Sequence, residues 1–173
     1  MGHTLYDSTI AVAQSILGSL SYFLHKAEQH PNASTLLEAR LYSDMYPLSD
    51  QVRLVTQFSE NLAARLTSRE PVTFESNLTT FAKCYERIET AQKALSAADK
   101  DVVNQHDEVL GTTKIGPEQT IETTAAAYAT TLALPNIYFH LVTAYGILRK
   151  EGVPVGKRDY YAGFYPGEAA GGQ

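Results

Sequence analysis

Four long stretches of this chain carry apolar residues at alternating spacings of three and four, and the breaks between them contain Pro31, Pro71 and Pro117. That spacing follows the α-helical period and not the two-residue period of a strand, so each stretch reads as a helix with one apolar stripe. Ile10, Ala13, Leu17, Leu20, Leu24 and Ala27 form the first stripe, on a helix predicted over about residues 7–29 and stopped by His30-Pro31-Asn32. Leu48, Val52, Val55, Leu62 and Leu66 form the second, over about 47–68, with Pro47 tolerated in the first turn because its missing N–H would have no partner there. Phe74, Leu78, Phe81, Tyr85, Ile88 and Leu95 form the third, over about 74–98, with Thr73 as the expected cap. The fourth runs from about 120 to 151, and Gly152 supplies the left-handed residue that ends it.

Antiparallel packing into a bundle is the simplest way to bury such stripes. Pro135 lies inside the fourth helix and removes a backbone hydrogen bond, which predicts a kink or a brief interruption there. A short helical piece is expected over about 35–41. Residues 99–119 are polar and lack helical period; within them Asp107–Leu110 and Lys114-Ile115 are expected to pair as a short hairpin. The segment 153–173, rich in Gly, Tyr and Pro, reads as a strap across the bundle whose last residues are disordered. The fold class is therefore all-α, a four-helix bundle in a single domain.

At 173 residues the chain can bury an adequate core without disulfide or metal. Its net charge of −5 disfavours nucleic acid and anionic membrane as partners, since both demand a basic face. No run of 18 apolar residues is present, and the first residues lack the basic and apolar regions of a secretory signal. The single cysteine, Cys84, falls on an amphipathic stretch and reads as a core residue in a reducing compartment, so a cytoplasmic location is expected. Phosphate loops, nucleophile elbows, paired-cysteine metal spacings and dinucleotide fingerprints are all missing, and no cofactor is expected.

The polar residues that could carry chemistry are few. Asn136 and His140 stand four apart and share one face of the fourth helix. They could meet one ligand, or the histidine could simply be a buried ring satisfied by Asn136 or a backbone carbonyl. Asp44 and Gln51 lie at the start of the second helix, where Asp44 could equally be a cap. A carboxylate, an amide and an imidazole reaching one cavity would position a polar substrate or move a proton. Tyr138, Phe139 and Tyr145 flank His140 and could wall such a pocket.

The blocks Tyr6-Asp7-Ser8-Thr9-Ile10, Asp44-Met45-Tyr46-Pro47-Leu48, Leu134-Pro135-Asn136-Ile137-Tyr138-Phe139-His140 and Gly152-Val153-Pro154-Val155-Gly156-Lys157-Arg158-Asp159-Tyr160 together resemble a fungal and bacterial family of unknown function within the DinB and YfiT-like superfamily of four-helix-bundle metalloenzymes. The resemblance spans residues 5–161, which makes these the bundle domain and leaves 162–173 as a tail. It implies an up-down-down-up bundle with a long crossover. In the wider superfamily three histidines hold a divalent metal, one on the second helix and two spaced by four on the last. The resemblance places Gln51, Asn136 and His140 at those positions, so two ligands become amides, which are poor partners for zinc or nickel.

Together these readings lead to a small intracellular enzyme or enzyme-like protein acting on a small organic molecule, for which an isomerase or cyclase of specialised metabolism would fit. His140 would be the acid/base, Asp44 would hold it, Asn136 and Gln51 would orient the substrate, and Tyr145 would donate a hydrogen bond. Two other readings stay open: a non-catalytic ligand-binding or homodimerising bundle, and a bundle that retains a divalent metal.

Overall fold

Thr4 and Asp7 start the chain's first helical turn by capping each other: the Asp7 N–H donates to Thr4 Oγ1 and the Thr4 N–H to Asp7 Oδ2. The computed structural model describes residues 2–116 and 118–165. In it the first predicted helix is two, α1 (Leu5–Ser8) and α2 (Ile10–Glu28), separated at Thr9, whose hydroxyl bonds back to Leu5 O. A single turn α3 (Ala33–Leu36) follows, shorter than expected, and then α4 (Leu48–Leu66) and α5 (Phe81–Ser96). Next come α6 (Lys100–Gln105), a hairpin of β1 (Leu110–Lys114) and β2 (Thr120–Thr124), then α7 (Ala125–Tyr128), a π turn (Ala129–Ala133), α8 (Leu134–Lys150) and α9 (Lys157–Tyr160). The fold is all-α apart from that small hairpin.

Side-chain pairs fix the directions of the four long helices. Tyr85 reaches Glu28 while Gln92 reaches Gln14, so α2 and α5 run antiparallel. Gln51 meets His140 and Arg65 meets Tyr128, so α4 and α8 also run antiparallel. Glu60 and Thr67 of the α4 side share a wall with Thr90 and Ala97 of the α5 side, which makes these two parallel. Phe23 stacks on Tyr145 and His30 approaches Gly152, so α2 and α8 are parallel as well. The result is up-down-down-up. Ile16, Leu20 and Phe23 of α2, Val55 and Leu62 of α4, Leu95 of α5, and Ile137, Leu141 and Ile147 of α8 are sealed between them.

This topology explains why the third helix starts at Phe81 and not near residue 74. Because α5 is parallel to α4, the chain must return along a 19-residue helix, about 28 Å long, before it can begin. A helix from residue 74 would leave about seven extended residues, reaching at most about 24 Å. Residues 70–79 are instead non-helical and held against α4. The Val72 N–H donates to Glu60 Oε1 and the Phe74 N–H to Gln57 Oε1, and the helix cap is Thr80, not Thr73.

Two further expectations shift in the segment before the last helix. Asp99 caps α6 by accepting the N–H groups of Asp101 and Val102, making a helix where none was expected. The hairpin pairs Leu110–Lys114 with Thr120–Thr124, not Asp107–Leu110 with Lys114-Ile115. Its second arm is the threonine-rich segment expected to begin the helix, where β-branched residues favour strand. Thr124 then caps the helical run by accepting the Ala127 N–H.

The interruption expected at Pro135 is the π turn just before it. Leu134 N–H donates to Ala129 O, five residues back, and Asn136 Nδ2 donates to Leu132 O. The widened turn accommodates the missing proline N–H without breaking the helix. The helical run Ala125–Lys150 is long and apolar enough to cross a membrane by length and composition, but half of its most apolar window is buried inside the bundle.

The strap crosses α2 as expected. Val153 and Val155 are buried, Ser19 Oγ donates to Tyr160 O, and the Gly163 N–H donates back to Ser19 Oγ. Contact here is backbone to backbone: a Cβ on Gly163 would stand 1.9 Å from Ser15 O. The disorder expected at the end of the tail concerns residues outside the described ones.

Candidate functional site

α4 and α8 meet at one short polar chain inside the bundle. Gln51 Nε2 donates to Tyr46 O at 2.9 Å, and this turns Gln51 Oε1 toward His140 Nδ1 at 2.8 Å. A carbonyl on one side and an amide oxygen on the other leave a single consistent tautomer: Nδ1 carries the proton and Nε2 the lone pair. Among the described residues Nε2 has no hydrogen-bond partner. Gln51 is 1% exposed and His140 9%. The imidazole lies flat under Phe58, with centroids 5.9 Å apart and planes at 10°, and meets the edge of Phe139 at 5.2 Å. Burial, aided by the Arg53 charge, lowers its pKa from 6.5 to about 4, so the ring is neutral at ordinary pH. Arg53 is itself paired with Asp50 at 2.7 Å.

Tyr46 belongs to a loop that an Arg40–Pro47 bridge closes, with the Leu48 N–H on Ala39 O and the Ser49 N–H on Leu37 O. Leu41 in this loop rests against Gly146 of α8. The Gln51 amide therefore joins loop, α4 and α8 at one point.

Of the five residues singled out in the sequence, two meet in this way and three do not. Asp44 is exposed in the loop, and the ring nitrogen it was expected to hold is held by Gln51. Tyr145 lies five residues beyond His140, about 140° further round the helix, and packs on Phe23 of α2 at 5.7 Å. Asn136 is on the His140 face as the four-residue spacing requires, but its amide nitrogen is turned to Leu132 O by the π turn.

Asn136 also lines a cleft of about 810 Å³ between α4, the π turn and the hairpin. Phe58 and Asn136, the lining residues nearest His140 by ring contact or along their helix, share the lining with Asn61, Arg65, Tyr128 and Thr112–Ile115 of the hairpin. Phe58 thus has one role in the cleft wall and another over the imidazole. The cleft stops one helical turn short of His140. Neither Arg65 nor Tyr128 stood out in the sequence; an Arg–Tyr contact between helices far apart in the chain leaves no local pattern.

The residues at the three ligand positions do not fit a divalent metal. Gln51 uses its oxygen on the imidazole and its nitrogen on Tyr46 O, and Asn136 has its nitrogen on a backbone carbonyl. His140 is the one strong donor left, and no cluster of three His, Cys, Asp or Glu exists among the described residues.

A family model described as a domain of unknown function (DUF1993) matches residues 5–161. Among solved structures, the chain is similar to a DinB family member protein from Shewanella denitrificans, with 30% identity, 91% of each chain covered and a TM-score of 0.81. No curated protein matches.

Proposed function

We propose, for a chain that belongs to the DUF1993 family of the DinB-like superfamily, that it is a metal-free enzyme acting on a small organic molecule through the Nε2 lone pair of His140. The observation that supports this reading is the Tyr46–Gln51–His140 chain, which presets the tautomer before any ligand arrives. Nε2 can then accept a hydrogen bond or a proton from a hydroxyl or an activated C–H group, and Gln51 keeps the ring from turning as it does so. Isomerisation and cyclisation move protons within one molecule, which suits one neutral imidazole beside amides. To reach Nε2 from the cleft, the molecule would have to displace Phe58, which lines the cleft and stacks on the imidazole.

A panel of carbonyl-bearing aromatic compounds incubated with the protein and followed by NMR tests this. For any compound the wild type converts, His140→Ala should lower kcat by about a hundredfold or more. Unchanged turnover in that variant refutes the assignment. Metal analysis of protein purified without an affinity tag should find less than about a tenth of an equivalent of any transition metal.

The rival reading is a non-catalytic binding bundle, supported by the burial of His140 beneath Phe58. It predicts compounds that bind and are recovered unchanged. Pairing of two copies fits the exposed Phe139 and Val142 on α8, and sedimentation velocity would detect it. A cytoplasmic setting is supported by the buried, unpaired Cys84.

A further inference from the structure

Among the described residues, no carboxylate pairs with Arg65. Its Nη2 donates to Gly111 O at 2.7 Å and Thr123 O at 2.6 Å, holding both arms of the hairpin, and its guanidinium lies 5.7 Å from the centre of the Tyr128 ring. Nε is buried without a partner, and Nη1 has no hydrogen bond among the described residues. Half-buried guanidinium groups ordinarily meet an acid, because a desolvated charge left alone is costly. The same cleft carries Arg69 and Lys114 against a single lining carboxylate, Glu70. Arg69 is already neutralised by the buried Glu60, to which it makes two bonds. What remains is Arg65 and Lys114 against Glu70, an excess of one positive charge on a chain whose net charge is −5.

Phe58, Tyr128, Leu132 and Ala133 give the lining an apolar, partly aromatic part, beside the amides of Asn61 and Asn136 and the hydroxyls of Thr112 and Thr113. The volume of about 810 Å³ lies within the range of small-molecule sites. From this juxtaposition we infer that the cleft between α4, the π turn and the hairpin binds an organic anion, its carboxylate at Arg65 and Lys114 and its planar apolar body against Phe58 and Tyr128. The recognition is charge-assisted at Arg65 and Lys114 and hydrophobic against Phe58 and Tyr128. An inorganic anion would satisfy only the first half. The inference shares with the proposed function the premise that this cleft receives a small molecule; it does not depend on chemistry at His140.

The test uses the whole chain, isotope-labelled, titrated in parallel with 1-naphthoate, its uncharged 1-naphthamide analogue and inorganic phosphate. Naphthoate should move the amide signals of Gly111–Lys114 and Tyr128, bind about tenfold or more tightly than the amide, and weaken as salt is raised. Phosphate should bind more weakly than naphthoate at the same signals. Arg65→Gln should remove the preference for the acid over the amide. If that variant loses the hairpin, the acid-to-amide ratio and its salt dependence in the wild type still decide the matter. Equal binding of acid and amide, shifts elsewhere on the bundle, or phosphate binding as tight as naphthoate overturns the inference. If naphthoate binds at the hairpin while the His140 ring signals stay still and His140→Ala binds it equally, the anion site stands and the His140 reading falls.

Discussion

The buried imidazole makes the stability of this protein depend on pH in a window where its carboxylates contribute little. His140 has a folded pKa of about 4 against 6.5 for a free histidine, because burial and the Arg53 charge disfavour the imidazolium. Between those values the unfolded chain binds a proton that the folded chain refuses, so stability falls as pH falls through the window and is fully present above it. With these two values, going from pH 7 to pH 5 costs about 2 kcal/mol. For a chain of this size that lowers Tm by roughly 4–8 °C. The assay is denaturant and thermal unfolding at pH 7, 6 and 5, in wild type and in His140→Gln, alongside an NMR titration of the His140 ring. The wild type should show the fall, with a slope approaching one proton taken up on unfolding near pH 5. The variant should show little of it, since Glu60, whose carboxyl Arg69 and the Val72 N–H hold below the usual range, contributes its loss only at lower pH. A flat wild-type profile, or an equal slope in the variant, would refute the claim that His140 is neutral and desolvated in the folded state.

Three further outcomes follow from contacts on the page. A Cβ on Gly111 would stand 1.7 Å from Arg65 Nη1, so Gly111→Ala should dislodge the guanidinium and release the hairpin, costing about 1–3 kcal/mol; limited proteolysis should then cut within 110–124 while the helices persist by circular dichroism. Gly163→Ala meets backbone, at Ser15 O and the Ser19 N, with nowhere to yield; hydrogen exchange should rise in residues 153–165 and along the middle of α2, and unchanged protection there would contradict the close crossing. Cys84 is fully buried, and its thiol is pushed up to about 11 by that burial. Alkylation by iodoacetamide at pH 8 should therefore await unfolding, and fast labelling of the native protein would show the helix face to be open.

Much of the bundle is legible in the sequence because the physics is local. The stripe of Leu48, Val52, Val55, Leu62 and Leu66 faces the core as its period requires, and Gly152 takes the left-handed conformation expected of it. What is not legible is non-local. Phe74 and Leu78 extend the third stripe at helical spacing, yet the crossover dictates that their segment be stretched along α4. Similarly, Thr120–Thr124 sits next to an alanine-rich helix start, and the Arg65 guanidinium, far away in the chain, adds a non-local bond to the Thr123 carbonyl that no local pattern announces. At the site, helical spacing correctly puts Asn136 and His140 on one face. It says nothing of the π turn that claims the Asn136 amide, nor of Phe23 of α2, on which Tyr145 packs.

An amide beside His140 changes what that histidine can do. A metal triad needs lone pairs converging on one point, and each ring then gives its free N–H to an outer partner. Here Gln51 is that partner, reached from inside: its oxygen takes the Nδ1 proton at 2.8 Å and its nitrogen is anchored on the loop carbonyl of Tyr46 at 2.9 Å. The amide supplies the orientation that an outer partner normally gives, and leaves Nε2 with a defined lone pair. The same two bonds fasten the 40–47 loop to α4 and α8, so removing Gln51 would strip two buried partners at once, and a loss of turnover alone could not separate chemistry from folding. Arg65 is tied to the hairpin by comparable bonds, but its charge can be probed from the ligand side by replacing a carboxylate with an amide. That makes the hairpin side of the cleft the place where recognition can be measured without disturbing the fold, while the chemistry proposed for His140 is read separately, by turnover.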